Sequence, residues 1–301
     1  MPGAMIDIEL SRRNELEIER IGVIGGGLMG SGIAEVAARA GFDVVVHEID
    51  AATAEAAMAR IEKSLARALE REKITEAEKS EVLARITVST DLSEQADRQI
   101  VVEAATEKED LKKQIFADLD KTVTDPDAIL ASNTSSIPIT RLASATNRPG
   151  NVVGLHFFNP VPVLDLVEMV TTVLTDPEVE DRAQRFAESL GKTVIRAKDR
   201  AGFIVNMLLI PYLLGAIRMY EAGVATAEDI DTGMRLGTNH PMGPLELTDF
   251  VGLDTTKYVA DVLFEEFKEP MYASPPLLTR MVEAGLHGRK TGQGFYTYPN
   301  T

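Results

Sequence analysis

The chain has four histidines, and one of them, His156, lies inside an apolar, strand-like run at residues 152–158. A turn segment, Asn159-Pro160-Val161-Pro162, follows. Residues 163–170 then read as a second extended run, which contains Glu168. If the two runs fold back antiparallel about Pro162, positions 156 and 168 are equidistant from the turn. They then face each other across the ladder, within side-chain reach. Oxidising an alcohol to a ketone needs such a pair. A base must remove the hydroxyl proton as hydride leaves carbon, and histidine titrates in the right range. A carboxylate on its far nitrogen fixes the tautomer and favours the imidazolium that forms. Spacing alone leaves open a purely structural buried pair.

A second constellation concerns phosphate. The β-branched run at 21–24 (IGVI) leads into Gly25-Gly26-Gly27-Leu28-Met29-Gly30, a G-x-G-x-x-G pattern at a strand end that opens a small-residue helix over 27–40. Gly25 permits the tight turn, Gly27 lets the backbone approach a pyrophosphate, and Gly30 lets helix and strand pack closely. The helix N-terminus offers free N–H donors to the phosphates. A second strand at 43–47 ends beside Glu48, eighteen residues after Gly30. A carboxylate there takes ribose hydroxyls and repels a 2′-phosphate, which favours NAD over NADP.

The elements that must carry these residues alternate. After the strand at 43–47 come a helical stretch at 53–71 and a capping box at Thr75 and Glu78. Strands follow at 86–89 and 100–104, then a charged helix at 107–121 and a buried strand at 128–132. Alternating strands and helices predict a mostly parallel, Rossmann-type sheet covered on both faces. The alternation stops near Ile195. Beyond Gly202 the pattern is helical, with a capping box at Thr226 and Asp229. The reading is an α/β protein with an N-terminal appendage at 1–19, an NAD-binding Rossmann-like domain at 20–199 and an all-helical domain at 200–301.

Composition narrows the function classes. With 301 residues and 45% hydrophobic content, two domains can each bury a core. The absence of cysteine excludes a disulfide scaffold, a Cys-ligated zinc site and a thiol nucleophile, and no metal is expected. A net charge of −16 argues against nucleic-acid binding. The polar, acidic start of the chain does not read as a signal peptide, and the apolar stretch at 202–217 is short and carries Asn206 and Pro211. No membrane span and a cytoplasmic location are expected.

The run HFFNPVPVLDLVE (156–168), with SNTSSIPIT (132–140), GFIVN (202–206), HPMGPLELTDFVGLD (240–254) and GRKTGQGFY (288–296), resembles the L-3-hydroxyacyl-CoA dehydrogenase family, in the family's order over nearly all of 20–298. The resemblance is to its short, monofunctional members. It implies NAD-dependent oxidation of a short-chain (S)-3-hydroxyacyl-CoA, reversibly, with His156 as base and Glu168 as its orienting carboxylate. It implies that Ser135 hydrogen-bonds the substrate near the reacting oxygen. Asn206 is implied to complete the site as the domains close. Asn133, Ser135, Glu107, Lys112, Asn159 and Lys290 match cofactor contacts. Without the family, Glu107 and Lys112 read equally as a surface helix pair, and Lys290 as a solvated charge. Three departures stand out: Glu48 where aspartate is usual, Asp199-Arg200-Ala201 where threonine and proline are usual, and Met207 where arginine is common.

The stretch at 60–71 is amphipathic. Ile61, Leu65, Ala68 and Leu69 lie on one side, and Arg60, Lys63, Ser64, Arg67 and Arg71 on the other. A basic stripe on an acidic chain can seat the phosphates of CoA, and the resemblance places Ser64 and Arg71 there. A merely solvated face is the competing reading. The run at 203–217 is apolar nearly all round and needs cover on every side. That favours a homodimer through the helical domain, as the resemblance also implies. Two other readings remain: a dehydrogenase of a 3-hydroxy acid without CoA, and a non-catalytic relative that keeps the cofactor fold.

Overall fold

Runs of Val and Ile between small-residue helices become the centre of one sheet. The computed structural model describes residues 18–299, so most of the expected appendage lies outside the described residues. The chain divides into two compact units between Asp199 and Arg200.

The first unit runs β1 (Arg20–Ile24), α1 (Leu28–Arg39), β2 (Asp43–His47), α2 (Ala51–Glu70), α3 (Glu76–Ala84), β3 (Ile86–Ser89), β4 (Ile100–Glu103), α4 (Glu109–Thr122) and β5 (Ile129–Ser132). It continues with α5 (Ile139–Ala143), β6 (Val152–Phe157), β7 (Leu166–Thr171), α6 (Pro177–Ser189) and β8 (Thr193–Lys198). The sheet order is β3-β2-β1-β4-β5-β6-β7-β8. It is parallel from β3 to β6, β7 turns antiparallel, and β8 runs parallel to β7. Ile21, Val23, Val101, Val102, Ile129 and Leu130 are buried, as strands covered on both faces require. Each such side chain contributes about 1.5–3 kcal/mol by leaving water. The strand order reverses between β1 and β4, which opens the crevice where ligands of such sheets bind.

Three local differences from the sequence reading have physical causes. The helix after β4 starts at Glu109, not 107, because Lys108 is extended and Glu107 stays in the loop. The strand with Glu168 starts at Leu166, not 163, because the N–H groups of Val163 and Leu164 close a turn onto the Pro160 carbonyl. The alternation reaches Lys198 rather than ending near Ile195.

The second unit holds α7 (Val205–Glu221), α8 (Ala227–Thr238), α9 (Pro244–Val251), α10 (Leu253–Phe267) and α11 (Pro276–Glu283). Its core includes Ile210, Leu214, Ile217, Leu245, Leu253 and Leu263. The capping box at Thr75 and Glu78 forms in full. That at Thr226 forms only in part. Thr226 Oγ1 accepts the Asp229 N–H, but the shorter aspartate meets the Thr226 hydroxyl instead of reaching back to its N–H. Two buried acids organise the unit. Asp231 accepts the Leu245 and Glu246 N–H groups at the start of α9 and the Tyr296 hydroxyl. Asp249 accepts the N–H groups of Phe295 and Tyr296, which fastens the final segment. Helix α7 buries Ile210, Leu213, Leu214 and Ile217, while Leu208 stays 72% and Met219 46% exposed. The unit therefore covers one side of α7 and leaves an apolar stripe open.

Candidate active site

β6 and β7 pair with His156 opposite Glu168, the register expected from folding about Pro162. Glu168 Oε2 lies 2.7 Å from His156 Nδ1. Glu168 is wholly buried and His156 nearly so. The Phe158 ring packs 4.6 Å from the imidazole, centroid to centroid. A carboxylate at Nδ1 assigns the ring proton there and sets the tautomer. The carboxylate in turn needs that donor, since a buried charged group left without its hydrogen-bond partner is costly.

The glycine loop fits a dinucleotide. Gly25 has φ +90°, a conformation that favours glycine, and its N–H donates to the His47 carbonyl. A side chain on Gly30 would strike the Gly25 carbonyl oxygen at 1.7 Å, whereas one on Gly27 would meet nothing within 4 Å. That open face at the start of α1 is where a phosphate can approach the free N–H groups near Leu28 and Met29. Glu48 Oε1 accepts the Gly26 N–H at 2.6 Å. The longer side chain thus reaches back to the loop at the position where aspartate is usual. Arg60, from the basic stripe, also turns to the loop and donates to the Gly26 carbonyl at 3.2 Å.

The segment after β5 is held by side chains from β4 and its loop. Asn133 Oδ1 accepts the Phe157 N–H at 2.9 Å, which ties the end of β5 to the strand of His156. Glu107 Oε1 accepts from Thr134 Oγ1, Ser135 N and Ser136 Oγ at 2.5, 3.0 and 2.9 Å. Lys112 is buried to 1% and reaches Glu103 Oε1 at 2.6 Å and Glu107 Oε2 at 3.3 Å. The alternative of a surface helix pair is therefore wrong. Lys112 faces inward because two carboxylates await it there. Burial, the largest influence on Glu107, pushes its carboxyl up. Lys112 and the donors of Thr134, Ser136 and Ser135 more than offset this and hold it below the usual carboxylate range.

The remaining candidates lie in varied settings. Ser64 is half-buried on α2 against the buried Glu35, whose carboxyl is raised chiefly by burial, and Arg71 is exposed just after that helix. Asn159 is exposed in the turn after β6. In the second unit, Asn206 is half-buried in the first turn of α7. Lys290 there pairs with Asp254 at 2.5 Å, so it is not simply solvated.

Sequence reasoning missed three anchoring polar groups, Glu103 and Lys192 buried and Asp199 half-buried. Glu103, at the end of β4, accepts from the Ala105 N–H, Lys112 and Ser132 Oγ. Its one sequence signal is a lone carboxylate closing an apolar run. Lys192 donates to the Val161 and Leu164 carbonyls at 2.7 and 2.9 Å and so shapes the turn between His156 and Glu168. Asp199, noticed only as a departure, accepts the Ile139 and Thr140 N–H groups and caps α5.

Comparison with known proteins gives two family matches that together span the described chain. Residues 20–200 match the NAD binding domain of 3-hydroxyacyl-CoA dehydrogenase, and residues 202–298 match its C-terminal domain. The 3-hydroxybutyryl-CoA dehydrogenase of Mycobacterium tuberculosis is 59% identical over 282 residues, covering 93% of this chain and 99% of that protein. The human mitochondrial hydroxyacyl-coenzyme A dehydrogenase is 44% identical over 289 residues, covering 93% of this chain and 91% of that protein. The crystal structure of (S)-3-hydroxybutyryl-CoA dehydrogenase from Ralstonia eutropha, 44% identical, superposes with a TM-score of 0.89 over 94% of this chain and 100% of the other. The chain therefore belongs to the 3-hydroxyacyl-CoA dehydrogenase family and is an NAD-dependent dehydrogenase of that family.

Proposed function

We propose that the protein interconverts a short-chain (S)-3-hydroxyacyl-CoA, 3-hydroxybutyryl-CoA foremost, and its 3-ketoacyl-CoA, with His156 as general base. The observation that carries this reading is the 2.7 Å contact between His156 Nδ1 and the buried Glu168. The names of the bacterial relatives support the four-carbon substrate. NAD, when bound, supplies the hydride acceptor. His156 takes the C3 hydroxyl proton at Nε2 as the C3–H bond breaks and the C3–O bond becomes double. Glu168 holds the opposite ring nitrogen and offsets the positive charge the ring acquires. Ser135 hydrogen-bonds the substrate oxygen, and Asn206 serves the same ligand. In the reverse direction the imidazolium returns its proton to the new alkoxide.

The glycine loop, Glu48, Asn133, Asn159 and Lys290 hold the cofactor in this reading. A 2′-phosphate beside the Glu48 carboxylate is repelled. Initial rates with acetoacetyl-CoA are therefore expected to show kcat/KM for NADH above that for NADPH on the order of a hundredfold. Absorbance at the NADH band checks both points. No consumption with either nucleotide contradicts the activity, and equal or reversed preference contradicts the role of Glu48.

Ser64 and Arg71 seat the CoA nucleotide. Arg71 is exposed in a basic stripe on an acidic chain. Arg71→Ala is expected to raise the KM for acetoacetyl-CoA by about 3–10-fold through one lost charge-assisted phosphate contact. The KM for NADH should not move. An unchanged acetoacetyl-CoA KM removes CoA from this helix. No described helix is long and apolar enough to cross a membrane. The open stripe of Leu208 and Met219 on α7 supports a homodimer through the second unit.

A further inference from the structure

We propose that Lys192, the residue before β8, is a positioning residue for Asn159 and, through it, for the nicotinamide half of the cofactor. The inference rests on the place given above to Asn159 in cofactor binding. Glu48 lies just past the end of β2 and Asn159 just past the end of β6, four strands away in the sheet. At about 4.8 Å per strand that is roughly 19 Å, so a dinucleotide with its adenosine at Glu48 brings its other half to Asn159.

The turn that carries Asn159 has no ladder of its own. Residues 158–165 lie outside β6 and β7, so their carbonyls need partners from elsewhere. Lys192 supplies two of them. Its Nζ donates to the Val161 carbonyl at 2.7 Å and to the Leu164 carbonyl at 2.9 Å. The residue follows Gly191, whose φ of +74° closes the connection from α6, and a lysine at such a place ordinarily runs out to water. Here the side chain turns inward and is 7% exposed. Burial pushes its ammonium below the usual lysine range; Asp165 opposes that shift and Arg39 adds to it. No described carboxylate forms an ion pair with Lys192, so the two carbonyls are what hold it inside.

Other contacts make the turn a rigid unit. The Pro160 carbonyl accepts the N–H groups of Val163 and Leu164 at 2.9 and 3.0 Å, and the Asp165 carbonyl accepts the Thr193 N–H at 2.6 Å. Val161 is 2% exposed and packs on α1, where a side chain at Gly32 would come within 2.9 Å of its Cβ. Toward His156 the chain is equally fixed. The Phe157 N–H donates to Asn133, and the Phe158 ring rests against the imidazole. Asn159 is thus an exposed residue between two held segments. Without the ammonium, the second segment loses the donor to two of its carbonyls and can shift, and Asn159 shifts with it.

The test compares the dissociation constants of NADH and of ADP, which carries the adenosine half alone, in Lys192→Met, Asn159→Ala and the double variant. Lys192→Met keeps most of the stem and removes the ammonium. It should raise the NADH constant about 3–10-fold and leave the ADP constant within about 2-fold of the parent, a split that general loosening of the fold does not give. Asn159→Ala should show the same split. In its background Lys192→Met should cost less than about 2-fold more, because the positioned group is already gone. A normal NADH constant in Lys192→Met, with Asn159→Ala impaired, overturns the proposal and leaves the place of Asn159 standing. So do losses that multiply in full. An ADP constant that rises in step with that of NADH gives Lys192 a structural role only and also overturns it. An unchanged NADH constant in Asn159→Ala removes that residue from the cofactor site, and the proposal with it. Should Lys192→Met fail to fold, Gly32→Ala pushes the same turn through Val161 with the lysine intact. It is expected to raise the NADH constant about 3–10-fold with the ADP constant unmoved, and normal NADH affinity contradicts the proposal.

Discussion

His156→Gln is expected to lower kcat with acetoacetyl-CoA by about 10²–10⁴-fold, the usual contribution of a positioned acid–base group. Glutamine has a flexible amide with two N–H donors to turn toward the buried Glu168 carboxylate, whose partner in the parent is the ring Nδ1 at 2.7 Å. The fold therefore retains the partner that a wholly buried carboxylate requires. Glutamine cannot exchange a proton in the working range, so the chemical step loses its acid and base. The glycine loop is built from β1 and α1, and it does not draw on β6 or β7. NADH binding should accordingly stay within about 3-fold of the parent, since in this reading that loop and Glu48 hold its phosphates and adenosine ribose. Steady-state kinetics beside a fluorescence titration of NADH checks both halves. A kcat near normal, or a loss of NADH affinity that accounts for the rate, contradicts the assignment.

Gly30→Ala has the next largest expected effect, on the other half of the site. Its methyl would sit 1.7 Å from the Gly25 carbonyl oxygen and 2.9 Å from the Gly25 carbonyl carbon, both backbone atoms in a turn with φ +90° at Gly25. No rotamer change relieves that overlap. Either the turn moves, and with it the N–H groups that receive the phosphates, or α1 lifts from β1. Overpacking of this kind costs about 1–3 kcal/mol where side chains can yield, and more where only backbone can. We expect NADH affinity to fall at least about 100-fold, or the melting temperature to drop by roughly 5 °C or more. Gly27→Ala is the control. Its methyl meets nothing within 4 Å, so it should retain stability while crowding the approach of a phosphate. Equal stability and affinity in parent and Gly30→Ala refutes the close-packing role of this glycine.

The sequence shows most plainly what local pattern and register control. β-branched runs became the strands of the sheet, and the equal spacing of His156 and Glu168 from Pro162 became their pairing, because register in a hairpin follows from counting. Long-range electrostatics was not legible. Nothing local distinguishes Lys112 from a solvated lysine at a helix start. Its burial depends on Glu103, nine residues back at the end of another element. Asp199 read as a departure from the usual pattern, yet its carboxylate caps α5 about sixty residues upstream, a partnership that only the folded sheet creates. Glu48 shows a smaller effect of the same kind. Its extra methylene brings the carboxylate onto the Gly26 N–H, a contact no reading of residue types alone supplies. Helix α7 read as needing cover all round, and the structure separates its faces: the inner one is buried, and Leu208 and Met219 are left open.

The pairing of His156 with Glu168 becomes chemistry only if the imidazole moves the substrate's proton during hydride transfer. A single-turnover measurement isolates that step: enzyme preloaded with NADH is mixed with saturating acetoacetyl-CoA, and the decay of NADH absorbance is followed by stopped flow. The first-order rate should fall by at least about a hundredfold in His156→Gln while the amplitude, which counts bound NADH, is preserved. A decay as fast as that of the parent would show that the proton reaches the substrate by another route.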